Sequence, residues 1–288
     1  MPATAHAVYL PEDLAIADSG SNSNSAALND TVVERVLHSV PVVGIGRNVQ
    51  AKIAQQRGDL EQAFALVASN YRARGYEPSQ SHNLRFTPFH ALPDTAVFVA
   101  KQDRQVVATL SLVVDNSLIG LPMECIYADE IARLRAEGRR LVEVTSLADC
   151  DLSLREFLPV FITLMQLLTQ YSIQKGANTL VISINPRHRT FYKKVMGFVP
   201  FGAWRAYPAV QNHPAEGYFL DVALLKSNAP AMYEKVVGQA LPPHVLTAYP
   251  MPHHLIDSFA SRSSLTNSKE VLEMLQQIKT SSCIRRWR

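Results

Sequence analysis

Hydrophobic spacing along the chain switches repeatedly between a period of two and a helical period. Over residues 48–54 apolar and polar positions alternate as a half-buried strand requires. Behind Gly58 the interval lengthens, and Leu60, Phe64 and Val67 in DLEQAFALVASNYRARGY predict a helix. Residues 96–101 and 106–114 are β-rich and joined by the short turn QDRQ, which predicts a hairpin. A charged helix is predicted over 130–140, a strand over 141–147 and a long helix over 157–174, which Lys175 and Gly176 stop before the strand NTLVISI. A short helix over 187–196, ended by Gly197, precedes strands near 198–206 and 218–225. From Ala229 onward helical patches are interrupted by Pro242, Pro243, Pro250 and Pro252, and no internal repeat is visible. This order predicts an α/β sandwich, with a mixed central sheet flanked by helices and a mainly helical C-terminal extension.

The stretch DSGSNSNSAALND at 18–30 is dense in turn formers and poor in apolar residues, so residues 1–30 are expected to form a flexible arm. The folded domain then spans 31–228 and the extension 229–288. With 47% hydrophobic residues, the 288-residue chain can fill a substantial core. Lys and Arg number 28 against 25 Asp and Glu, a net charge of +3 that gives no footprint for nucleic acid. Cys125, Cys150 and Cys283 lie far apart and form neither a CxxC pair nor a metal-ligand spacing, so no metal is expected and a reducing compartment is. The N-terminus lacks a basic start and an apolar run of signal-peptide length, so no export signal is read and the cytoplasm is the expected location. The longest apolar segment, 157–168, contains Pro159, Thr163 and Gln166 and falls short of the roughly 20 residues of a bilayer span.

Several residue patterns bear on chemistry. Glu143 sits among Val142, Val144 and Leu147, where a carboxylate costs on the order of several kcal/mol to desolvate unless it is paired. Arg187, His188, Arg189, Lys193 and Lys194 form either a solvated basic face or one that meets an anionic partner. Arg72 and Arg74, in the last turn of the first long helix, either complement its dipole or grip a carboxylate bidentately. No glycine occurs between Gly138 and Gly176; DCDLSLREFLPV follows the predicted strand instead of a glycine-rich phosphate cradle. No GxSxG and no Cys/His pair marks a nucleophile, and His253-His254 lacks carboxylates at ligand spacing.

Three segments together carry a family resemblance over about residues 45–226. NPRHRTFYKKVMGFVPFG, 185–202, resembles the N…FYxxxGF element that closes the acyl-donor site of GNAT-superfamily enzymes. LVEVTSLAD, 141–149, resembles the ELSR(F/L)A strand of N-acyl homoserine lactone synthases and N-acyl amino acid synthases; Glu143 takes the acidic position and Ser146 stands where arginine is usual. NYRARGYEP, 70–78, resembles the stretch bordering the acceptor pocket of these synthases. The chain is thus most similar to long-chain N-acyl amino acid synthases of the N-acyltyrosine type. The resemblance implies a GNAT-like fold and an acyltransferase that moves a fatty acyl group from a thioester to the α-amine of an amino acid. It implies Glu143 as base and Tyr192 either as acid for the departing thiolate or as a packing residue. Arg72, Arg74, Tyr76, Thr145, Ser146 and Asn185 are then candidates for substrate binding. Arg155, Arg187, Arg189, Lys193 and Lys194 are candidates for docking an acyl carrier protein. The implied donor is acyl-phosphopantetheine on that carrier, with acyl-CoA as the other thioester to consider, no cofactor held tightly, and peripheral membrane association through the lipid product. An N-acetyltransferase using acetyl-CoA and a non-catalytic acyl-carrier or lipid-binding module are the competing functions.

Overall fold

The structure, a computed structural model, describes residues 49–78, 82–263 and 269–281. The expected arm over 1–30, Cys283 and the basic end at 285–288 lie outside the described residues. Strand β1 (Val49–Ile53) leads into helix α1 (Arg57–Ala73), and the hairpin of β2 (Ala96–Gln102) and β3 (Gln105–Val114) turns at Asp103, whose φ of 55° suits a tight connection. Helix α2 (Glu124–Ala136), strand β4 (Leu141–Asp149), helix α3 (Leu154–Gln174) and strand β5 (Thr179–Ile184) follow. Strands β6 (Val199–Tyr207) and β7 (His213–Asp221) complete a seven-stranded sheet of order β1-β2-β3-β4-β5-β7-β6. Every neighbouring pair is antiparallel except β4 and β5.

Strand alternation sorts the core onto two faces. Val142 and Val144 join Phe157, Phe161, Leu164 and Leu168 of α3 on one face. Leu141, Val113 and Val181 join Phe64 of α1 and Tyr127 of α2 on the other. Beyond β7 come the short helices α4 (Leu225–Asn228) and α5 (Pro230–Tyr233), then α6 (His253–Ala260) and α7 (Lys269–Thr280). Phe259 of α6 meets the Phe64 ring edge-on at 5.2 Å, and Leu275 and Ile278 of α7 belong to the same core. Asp59, buried at the start of α1, bridges Lys52 of β1 and Lys101 of β2 at 2.5 and 2.6 Å, tying helix to sheet edge.

Three local expectations shift. Helix α2 begins at Glu124 rather than 130, because Cys125, Ile126 and Tyr127 break the charged pattern and Tyr127 leaves helical geometry (φ −127°, ψ 33°). The helix expected over 187–196 is two tight turns, Pro186–His188 and a wide π-type turn Phe191–Val195. Strand β7 starts five residues earlier than expected, hidden by Pro214 and Gly217, and ends at Asp221.

Gly197 stops the π-type turn at φ 77°, and a Cβ there would lie 2.9 Å from that of Ala229 and 3.2 Å from Leu225. Gly197→Ala should therefore lower stability by about 1–3 kcal/mol, measured as a reduced urea midpoint with unchanged slope.

Candidate active site

The parallel pair β4 and β5 is joined only at Leu141↔Thr179, Val142↔Leu180 and Glu143↔Val181. Past those residues β4 continues with β3 and β5 with β7, so a wedge opens between them. An extra residue in β4 reinforces the divergence: Thr109 faces Ala148 and Ser111 faces Thr145, which leaves Ser146 and Leu147 in a bulge with Ser146 at φ 57°. A parallel sheet split at this point leaves the outer part of one β4 edge without a ladder partner, a place for backbone donors to meet a ligand.

Polar atoms around the wedge are buried and unsatisfied. Among the described residues, Glu143 Oε1, the hydroxyls of Thr145 and Ser146 on β4, that of Ser183 on β5 and, on the α3 side, that of Tyr192 in the π-type turn have no hydrogen-bond partner. Buried groups are nearly always bonded in a resting fold, so the four of these atoms carried by the two parting strands mark a place where a polar partner belongs.

Glu143 is wholly buried and points to the α1 side, where Oε2 accepts from the Met123 backbone N–H at 2.9 Å. Burial raises its pKa well above the usual carboxylate range, with the Met123 bond opposing and the nearby Glu124 charge adding to the rise. The segment supplying Met123 is clamped: Arg135 donates to both Asp115 oxygens and to Glu124, whose Oε1 also accepts from Leu121 N–H. Beside Glu143, the buried Tyr207 hydroxyl hydrogen-bonds the Cys125 thiol. Desolvation of the sulfur first, then the Glu143 charge, pushes that thiol up to about 12, so it stays protonated at neutral pH.

The other candidates divide. Thr145 and Ser146 lie at the wedge. Tyr192 is packed into the α3-side core between Phe191 and Phe198, ring centroids 5.4 and 5.6 Å away, and burial raises its phenol pKa. Asn185 caps the turn after β5 by accepting from Arg187 N–H, and Tyr76 is buried against Tyr71 and His213. Arg72 reaches the carbonyl of His82, on the outer side. Arg74 donates to Asn70, whose amide holds the Asp149 carbonyl at the far end of β4. The charges of Arg187 and Arg74 both act on His188, which burial, aided by them, holds down to about 3. Those two guanidiniums thus bring positive potential to the open end of the wedge. Arg189 is paired with Glu216, whereas Arg155, Lys193 and Lys194 are exposed. Met123, Tyr207, Cys125 and Ser183 escaped sequence reasoning; only Ser183, a serine within the apolar run of β5, left a visible signal.

The loop into α3 satisfies its own donors. Asp149 Oδ1 accepts from Leu152 N–H, and Ser153 and Glu156 form a reciprocal cap, so carboxylates occupy the region where helix N–H groups otherwise bind phosphate.

No curated protein matches the chain. Among solved structures, FeeM, an N-acyl amino acid synthase from uncultured soil microbes, is 30% identical, with a TM-score of 0.54, covering 63% of this chain and 95% of its own. The acyl-homoserine lactone synthase LasI is 16% identical at a TM-score of 0.45, covering 69% and 98%, and the CoA-dependent synthase BjaI is 16% identical at 0.47, covering 74% and 99%. The profile of the family described as N-acyl amino acid synthase FeeM matches residues 62–221, more than half of the chain. With a GNAT-like mixed sheet split at β4 and β5 and a buried glutamate at the split, this chain is an N-acyltransferase that belongs to the FeeM family of N-acyl amino acid synthases.

Proposed function

We propose that the protein transfers a long-chain fatty acyl group from an acyl carrier protein thioester to the α-amine of an amino acid. The observation that carries this is Glu143: a buried carboxylate with one oxygen bonded to Met123 N–H and the other unsatisfied beside the wedge. An α-ammonium has a reference pKa near 8 and must lose a proton before it attacks. Glu143 Oε1 takes that proton. The neutral amine then attacks the thioester carbonyl, a C–N bond forms, the C–S bond breaks, the nitrogen sheds its second proton and the departing thiolate takes one up. A base with a raised pKa is well matched to this task. Tyr192, with its phenol pKa raised, stays protonated and serves the thiolate as a hydrogen-bond donor rather than as a proton source.

Support for a carrier-borne donor comes from the loop into α3, whose Leu152 and Ser153 N–H groups are already met by Asp149 and Glu156, and from the exposed Arg155, Lys193 and Lys194. Arg187 and Arg74 at the wedge mouth suit an anionic substrate approaching it. Helix α3, rich in Phe, Leu, Ile and Met, supplies apolar walls for an acyl chain. No helix among the described residues is long and apolar enough to cross a membrane, so contact with lipid would be peripheral.

Mass spectrometry of lipid extracts from a bacterial host expressing the protein should reveal new N-acyl amino acids that vanish with Glu143→Gln, with a loss of turnover of about 10²-fold or more. The acid limb of kcat/KM in the wild type should lie well above pH 4.5, with activity rising as Glu143 deprotonates; extracts matching an empty-vector control, with acetyl transfer from acetyl-CoA by purified protein, would point to the acetyltransferase instead. A raised carboxyl pKa means the folded state binds the proton more tightly, so stability falls as pH rises from about 4.5 through the folded pKa. Glu143→Gln should consequently melt at a higher temperature than the wild type at pH 8, and show little gain at pH 4. Lys193→Glu with Lys194→Glu should lower kcat/KM for acyl carrier protein by roughly tenfold at low salt, and leave acyl-pantetheine turnover unchanged.

A further inference from the structure

One row of residues crosses the α1 side of the sheet in register: Val97 of β2 faces Ser111 of β3, and Ser111 faces Thr145 of β4. Residues directly opposite in an antiparallel pair point to the same face, their Cβ atoms about 5 Å apart. Thr145 Oγ1 has no hydrogen-bond partner, so the Ser111 hydroxyl does not serve it. Ser111 Oγ instead lies 3.4 Å from Nε2 of His90.

His90 is fixed from behind. It sits in the turn Pro88–Ala91, where the Thr87 backbone N–H donates to its Nδ1 at 3.0 Å, and the rings of Phe64 and Phe86 lie against it. A ring nitrogen that accepts from a backbone N–H carries no proton of its own, so in the neutral imidazole the proton is on Nε2 and Nε2–H donates to Ser111. Burial, with the charge of Arg85 adding, holds the imidazolium down to about 3, which keeps the ring neutral at working pH. A hydroxyl has one proton and two lone pairs. With one lone pair engaged by His90, Ser111 has its own proton to give, and the chain Thr87, His90, Ser111 runs in one direction toward the face beside Thr145.

We propose that Ser111 and Thr145 together bind the α-carboxylate of the acceptor amino acid, with His90 as the positioning residue that makes Ser111 a donor. The assignment rests on the synthase function proposed above. Ser111 is the diagonal neighbour of Glu143 across β3 and β4, a Cβ separation of about 7–8 Å. In an α-amino acid the carboxylate is one carbon from the amine, so an amine at Glu143 Oε1 brings the carboxylate within reach of the two hydroxyls. Charge requires such donors. Once the ammonium proton has moved to Glu143, the carboxylate is the ion left in a buried site, and a buried anion without donors is strongly disfavoured. Arg74 acts farther along, by Asp149 at the end of β4, which suits approach rather than this contact.

Steady-state kinetics with an amino acid that the wild type acylates, and with the amine made by decarboxylating it, test the assignment. Ser111→Ala should raise KM for the amino acid about tenfold or more with a smaller change in kcat, leave the amine's KM unchanged, and collapse the wild-type preference between them. Ser111→Thr, which keeps the hydroxyl, should retain the preference, and His90→Phe should lose it in part. Equal losses on both acceptors, or no change on either, with an active wild type would overturn this assignment alone. Turnover of the amine but of no amino acid by the wild type would overturn the synthase function as well.

Discussion

Among the described residues a single backbone N–H, that of Met123, donates to the buried carboxyl of Glu143, and much of the surrounding architecture serves to hold it there. A carboxylate with several donors would have a low pKa and little basicity; one with none would stay protonated. One donor on one oxygen leaves the other without a partner among the described residues. Placing that donor requires the start of α2 to be fixed, and this is the work of Arg135, which joins Asp115 after β3 to Glu124 at the head of its own helix. Asn116 adds a second anchor, accepting from Leu118 and Ile119 N–H and donating to the Gly120 carbonyl.

The same segment couples Glu143 to the outer strands. Tyr127, where α2 kinks, donates to the carbonyls of Ala203 in β6 and Ala215 in β7, and its ring lies so close to Gly202 that a Cβ there would clash. Arg205 of β6 pairs with Glu130 and covers the Tyr127 ring. Tyr207, at the end of β6, reaches Cys125 beside Glu143. Helix α2 thus spans from the sheet centre to its far edge, and the environment of Glu143 is assembled from β4, α2 and β6 together.

Much of the fold was legible because long periodic runs dominate it: β2, β3, β4, α3 and β5 all lie close to their expected positions. The part that was not legible is informative. Helix α2 starts six residues early through an apolar, kinked turn that resembles no helix by pattern, and that turn supplies Met123 and Cys125. Glu143 stood out as a charge in a greasy strand, a local contradiction visible in sequence. Its partner did not, since a backbone N–H carries no sequence signature. Arg72 and Arg74 were indistinguishable by spacing, yet two positions on a helix turn one guanidinium outward to His82 and the other toward Asn70 and the end of β4.

The three-pair ladder between β4 and β5 has a mechanical side. On either side of it lie well-knit antiparallel units, β1 to β4 and β5 to β6, so the sheet amounts to two plates welded along a short seam. A short seam is the weakest line of the sheet against rotation of one plate on the other, and such rotation would open or narrow the wedge without breaking either plate. Helix α2, which reaches from Glu143 on one plate to β6 and β7 on the other, is the brace across that seam, so the stiffness of the wedge rests on its side chains as well as on the strands.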